Sequence, residues 1–129
     1  MIEVAAGVIR GQSGKILLCR RTGRLEGLWE FPGGKREAGE SIGECLRREL
    51  MEELGLPVEP GEALGTVEEG ELRLIFLSAA ADETAPLALH VHSGAKWVEE
   101  QNVDEEALCP NDRRFWNNTY SRKTLKTKE

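Results

Sequence analysis

The chain has 129 residues and a formal net charge of −6, a length that fits one domain able to bury about two-thirds of its unfolded surface. Its 40% hydrophobic and 31% charged content excludes global disorder, and no apolar run approaches a membrane span. The charge is split. Residues 1–112 hold 11 Lys and Arg against 22 Asp and Glu (−11), residues 113–129 hold 6 against 1 (+5), and so acidic a body argues against a duplex nucleic-acid binder. Met1-Ile2-Glu3-Val4 has no basic segment leading into an apolar one, and three cysteines, Cys19, Cys45 and Cys109, form no even set. Both features predict a cytoplasmic protein with free thiols and no membrane partner.

Along the chain, Ile2–Arg10 reads as a strand, Gly11-Gln12-Ser13-Gly14 as a turn, and Lys15–Arg21 as a second strand closing a hairpin. Residues 22–40 carry Gly23, Gly27, Gly33, Gly34 and Gly39 with little periodicity, and irregular stretches this long in compact domains are usually functional. Ser41 and Glu44 have the spacing of a capping box, so a helix is expected from there to Leu54, stopped by Gly55 and Pro57. Ala63–Glu68 and Glu71–Ala79 read as strands around the Glu69-Gly70 turn. Ala88–His92 reads as a weak strand and Ala95–Val98 as another. Asp104–Leu108 reads as a short helix, and Asn111 or Asp112 as the cap of a last helix reaching about Lys123. The domain is expected over 1–125, with 126–129 a disordered basic tail. This is an α+β pattern, a mixed β-sheet between helices.

On the helix, Ile42, Leu46, Leu50 and Leu54 form the buried stripe, and Glu53, Glu49 and Glu52 share an arc of about 100° that starts at its edge. Arg48 stands one turn before Glu52, at ion-pair spacing. Crowded carboxylates need a cation among them, and an oxygen-lined site for Mg²⁺ or Mn²⁺ would supply it. A solvated glutamate face is the plainer reading of Glu-x-x-Glu-Glu alone. The loop ahead, Trp29-Glu30-Phe31-Pro32-Gly33-Gly34-Lys35, shifts the balance, because paired glycines let backbone approach the helix.

Gly34, Glu40 and Arg48-Glu49-Leu50-Met51-Glu52-Glu53-Leu54-Gly55-Leu56 match every defined position of the Nudix box, G-x5-E-x7-R-E-U-x-E-E-x-G-U. The chain thus resembles the Nudix hydrolases, and its length and Phe-Pro-Gly-Gly-Lys run look most like the MutT-like nucleoside triphosphate pyrophosphohydrolases. The resemblance implies an α/β/α sandwich and hydrolysis of a nucleoside triphosphate to monophosphate and pyrophosphate. 8-oxo-dGTP, a CTP-type nucleotide or another non-standard base would be the substrate. Carried over by position, Glu49, Glu52 and Glu53 would be the metal cluster, joined by the Gly33 carbonyl. Arg48 would orient the glutamates, Glu49 would take the proton of the attacking water, and Glu40 would be more structural. Gly33, Gly34 and Lys35 would take part in binding the substrate.

Arg21 falls where MutT-like proteins place a nucleotide-contacting arginine, though a strand-end surface charge is the plain alternative. Phe31 and Phe76 either line a base pocket or belong to the core. Asp112 either meets the base edge or caps a helix. Some relatives carry a glutamate before the late tryptophan; here Leu89-His90-Val91-His92-Ser93 has none, so either His90 and His92 substitute for it or the box glutamates do all the work, and solvated imidazoles are the favoured reading. The alternative functions are hydrolysis of another nucleoside diphosphate derivative, such as ADP-ribose or a dinucleotide polyphosphate, and a non-catalytic nucleotide sensor. Box carboxylates are all retained, which disfavours the sensor. The partner expected is a small nucleotide, the assembly a monomer or homodimer.

Overall fold

The computed structural model describes residues 1–121, so the expected tail over 126–129 and the last helix's reach to Lys123 lie outside the described residues. The strands are β1 (Ile2–Arg10), β2 (Ile16–Arg20), β3 (Trp29–Glu30), β4 (Gly33–Lys35), β5 (Glu59–Glu69), β6 (Leu72–Ala80) and β7 (Gly94–Val98). The helices are α1 (Ile42–Leu54) and α2 (Pro110–Phe115), and α2 continues as a π-turn over Trp116–Ser121.

Strand β1 is central. It pairs in parallel with β6 from Ile2↔Leu72 to Arg10↔Ala80. It meets β2 only at Arg10↔Ile16, and the two strands then part. The stretch from Trp29 to Lys35 fills the opening: β3 pairs with β2, and β4 pairs with β1 through Ala6↔Gly33, Ala5↔Gly34 and Val4↔Lys35. The supposedly irregular glycine stretch therefore contains two short strands. Its periodicity is invisible because each strand is two or three residues long.

Alternation along β1 and β2 divides the core between the two sheet faces. Ala5, Ile9, Leu17 and Cys19 pack with Cys45, Leu46, Leu50 and Leu54 of α1. Ala6, Val8, Ile16 and Leu18 pack on the other face with Phe31, Phe76, Phe115 and Trp116. A mixed sheet thus lies between helices, as expected. At Gly7 a Cβ would stand 3.1 Å from Leu46 Cδ1, so the absence of a side chain there lets α1 lie close on β1. Both halves of the predicted capping box form: Ser41 Oγ accepts the Glu44 N–H (3.1 Å) and Glu44 Oε1 accepts the Ser41 N–H (2.7 Å). Gly55, left-handed at φ 65°, ends the helix.

Three expectations fail. Ala88–His92 is no strand, because its backbone donors go elsewhere: the Ala88 and His90 N–H groups bond to the Leu54 and Glu53 carbonyls that α1 leaves open. The short helix lies ahead of its expected place, as a 3₁₀ segment over Glu100–Glu105. The last helix begins at Pro110, which has no N–H to satisfy, and no side chain caps it. Asp112 lies inside its first turn and accepts a bond from Phe31 instead. Among the described residues no helix is long and apolar enough to cross a membrane.

Candidate active site

A cavity of about 560 Å³ opens between β1, the Trp29–Lys35 stretch and the start of α2. Of the residues singled out from sequence, Arg21, Phe31, Gly33, Gly34, Lys35, Glu53 and Asp112 line it. Arg48, Glu49 and Glu52 do not, and neither does Phe76. Phe76 is a correction: it is fully buried and stacks on Phe115 with centroids 4.0 Å apart, inside the α2-side core. Phe31 reaches the cavity although 2% exposed, its ring edge-on to both Phe76 and Phe115.

Arg48 is the hub on the outer side of α1. Its Nη2 lies 2.8 Å from Glu40 Oε1, and its Nη1 lies 3.0 Å from Glu49 Oε1, 3.2 Å from Glu52 Oε2 and 3.3 Å from Glu37 Oε1. Nη2 also donates to the Lys35 carbonyl at 3.0 Å, tying the loop to the helix. The Arg48 guanidinium and the Glu37 N–H together hold the Glu40 carboxyl well below the usual range, at about 2.

The glycines do what close approach requires. A Cβ at Gly34 would fall within the Glu49 carboxylate, and one at Gly33 would fall on the Ala5 carbonyl. The Gly7 N–H donates to Pro32 O (2.8 Å) and the Arg36 N–H to Glu3 O (2.9 Å). In an antiparallel ladder the intervening residues face away, so the Gly33 carbonyl points away from β1.

Glu53 differs from its neighbours. Its Oε2 is buried without a hydrogen-bond partner. Burial first, then the Glu49 and Glu30 carboxylates, push its carboxyl up to about 8. Burial also raises Asp112 to about 7, although its Oδ2 accepts the Phe31 N–H at 2.9 Å. The donors here are carboxylates and a carbonyl, a hard anionic set that suits a divalent cation. Among the described residues no three carboxylate, imidazole or thiol groups already converge on one point. Arg48 draws Glu49 and Glu52 toward itself, while Glu53 faces the cavity.

All three cysteines are free and buried. Cys109 lines the cavity, but burial and the Asp112 carboxylate push its thiol up to about 12, so it offers no thiolate nucleophile. Among the cavity residues that the sequence did not assign to the site are Glu30 and His92. Glu30 was visible only as a member of the Trp29–Lys35 run. His92 was expected to be solvated, as His90 is, but is 7% exposed and holds Glu30 with its Nε2 at 2.8 Å.

A sequence model of the family described as NUDIX domain matches residues 1–118. The CTP pyrophosphohydrolase of Escherichia coli (strain K12) is 39% identical over 117 residues, 87% of this chain and 86% of its own. An 8-oxo-dGTP diphosphatase of Haemophilus influenzae is 51% identical over 61 residues, which is 43% of each chain. The crystal structure of a MutT protein from Methanosarcina mazei Go1 superposes with a TM-score of 0.77 at 29% identity, over 99% of this chain and 96% of that one. The same sandwich, the same loop-and-helix motif and these likenesses have one meaning: the chain belongs to the Nudix family and is a MutT-like hydrolase.

Proposed function

We propose that the chain hydrolyses a nucleoside triphosphate, with CTP or dCTP first among candidates, to the monophosphate and pyrophosphate with Mg²⁺ or Mn²⁺. The observation that carries this reading is the shared cavity, in which Glu53 and the Gly33–Lys35 backbone meet Arg21 and Asp112 in about 560 Å³. Ligand pockets of roughly 300–1,000 Å³ hold molecules of nucleotide size. CTP ranks first because the relative named for it matches across most of both chains, whereas the Haemophilus 8-oxo-dGTP diphosphatase matches over less than half of each.

Glu53, Glu49, Glu52 and the Gly33 carbonyl would hold the cation. Once bound, a divalent cation supplies neutralisation of phosphate charge and a lowered pKa for water. Arg48 keeps Glu49 and Glu52 beside the loop through the bonds described. Lys35 and Arg21 present positive charge to the phosphates. The water oxygen forms a bond to phosphorus, the bridging P–O bond breaks, and pyrophosphate leaves. Glu49 accepts the water's proton. Asp112, with Oδ2 engaged by Phe31, presents its second oxygen to an amino or ring N–H of the base.

Product analysis with Mg²⁺ over the common NTPs and dNTPs, 8-oxo-dGTP, ADP-ribose and a dinucleotide polyphosphate tests this reading. Monophosphate plus pyrophosphate from one or two triphosphates supports it and names the base. Cleavage of ADP-ribose or the dinucleotide alone would overturn the substrate class and keep the chemistry. Nucleotide binding without turnover would favour a sensor.

A further inference from the structure

The loop carrying His92 is tied down on both sides. Toward α1, the Ala88 and His90 N–H groups bond to the Leu54 and Glu53 carbonyls at 3.0 and 3.3 Å. Toward β2, Thr22 Oγ1 donates to Val91 O at 2.8 Å and the Ser93 N–H to Arg20 O at 3.0 Å. These bonds carry His92 into the wall of the cavity, next to Glu30.

Glu30 is a carboxylate and can only accept, so the 2.8 Å contact makes His92 Nε2 the donor to Glu30 Oε2. The other oxygen, Oε1, accepts from Arg21 Nη1, also at 2.8 Å, and Arg21 Nε donates to Arg24 O at 2.9 Å. Arg21 is thus braced at two nitrogens, and its side chain, 35% exposed, forms part of the cavity lining. With one nitrogen given to Glu30, His92 keeps Nδ1 buried and without a partner. An apolar residue would fill this place without that cost. The imidazole therefore needs a reason to be here, and the bond to Glu30 is the interaction it makes.

Glu30 has competing attractions. It stands near enough to Glu53 and Asp112 to raise both carboxyls. Left with a free oxygen, it could turn from Arg21 toward whatever cation the carboxylates gather. Two nitrogen donors, one on each oxygen, remove that freedom.

We propose that His92 is a positioning residue which, through Glu30, fixes the Arg21 guanidinium in the cavity to receive the anionic part of the substrate. The inference rests on the nucleotide reading for the identity of that anion.

Steady-state kinetics with CTP and Mg²⁺, or with the best substrate of the product panel, test it on the full chain. His92→Leu is expected to raise KM about tenfold and leave kcat within about twofold, the signature of lost binding shared by ground and transition states. His92→Gln, whose amide nitrogen reaches the place of Nε2, should restore KM to within about threefold of wild type, because one neutral hydrogen bond is kept. In an Arg21→Ala background His92→Leu should add less than about twofold, since coupled residues are not additive. Equal effects of Gln and Leu, a fall in kcat at constant KM, or full additivity with Arg21→Ala overturns the proposal. If His92→Leu does not fold, His92→Gln is compared with His92→Asn, whose amide lies nearer the place of Nδ1. Gln better than Asn supports the proposal and the reverse order overturns it. A wild type that cleaves no phosphoanhydride overturns the nucleotide reading together with this one. A working wild type with additive variants overturns this one alone.

Discussion

Two carboxylates on one helix, four residues apart, meet opposite electrostatic fates. Glu49 lies 3.0 Å from Arg48, in an array where a single guanidinium also serves Glu37, Glu40 and Glu52. Glu53 makes no ion pair among the described residues; it is half-buried, its Oε2 is buried without a partner, and its carboxyl rises to about 8. The difference follows from where each falls around α1. Glu49 and Glu52 point to the side from which the Lys35 carbonyl and Glu40 also reach Arg48, whereas Glu53 turns toward the cavity beneath the His92 loop. One group is compensated by a guanidinium, and the other is left to the desolvation of its own carboxyl. Arrangements of the second kind cost stability and recur where function requires them.

The largest break in this comparison comes from replacing the carboxyl that burial and neighbouring carboxylates hold against ionisation. Glu53→Gln is expected to lower turnover by on the order of 10²-fold or more while the fold persists, as measured by kcat with circular dichroism as control. A near-wild-type rate would remove Glu53 from the cation-binding set. Gly34→Ala tests the compensated side without touching any carboxylate. Its Cβ would occupy the place of the Glu49 carboxylate, so a loss of about tenfold in kcat/KM is expected, about 1.4 kcal/mol of transition-state stabilisation. An unchanged rate would show that Glu49 works from another position.

A smaller effect sharpens the comparison through pH. The Glu53 carboxyl stands near 8 in the fold against 4.5 when unperturbed. Between those values the native state keeps a proton that the unfolded chain has lost, so stability falls as pH rises through the window and levels off above it. Asp112, raised from 3.8 to about 7, adds a slope of the same sign lower in the range. The Tm of metal-free wild type should therefore drop from pH 5 to 8 more steeply than that of Glu53→Gln, which cannot ionise. Parallel curves would contradict the assignment. Smallest is Ser41→Ala, which removes a capping bond: about 1 kcal/mol of stability by denaturant unfolding, with kcat within twofold.

Local rules explain what could be read from the chain in advance. The capping box, the stop at Gly55 and the stripe Ile42, Leu46, Leu50 and Leu54 are set by neighbours within one or two helical turns, and α1 forms where they place it. The hairpin from β1 to β2 and the Gly70 turn between β5 and β6 have the same character. So does the direction of Glu53, which follows from its step around the helix from Leu50. The paired glycines could be understood as a close approach, although which of them met Glu49 could not.

Long-range contacts decided the remainder. Phe76 and Phe31 share the same chemistry, yet Phe76 stacks on Phe115 inside the core while Phe31, in the connection between β3 and β4, reaches the cavity. Ala88–His92 has alternation enough for a strand, but the open carbonyls at the end of α1 claim its N–H groups. His92 is buried because that docking, 34 residues or more from Leu54 along the chain, brings it against Glu30. Asp112 forgoes capping for the Phe31 N–H, 81 residues away. The sequence by itself determined the helix α1, the carboxylates along it and the family to which they belong, since those depend on residues close together in the chain. Only the tertiary structure decided which side chains share the cavity, because burial and pairing across the sheet depend on partners that the linear order keeps far apart.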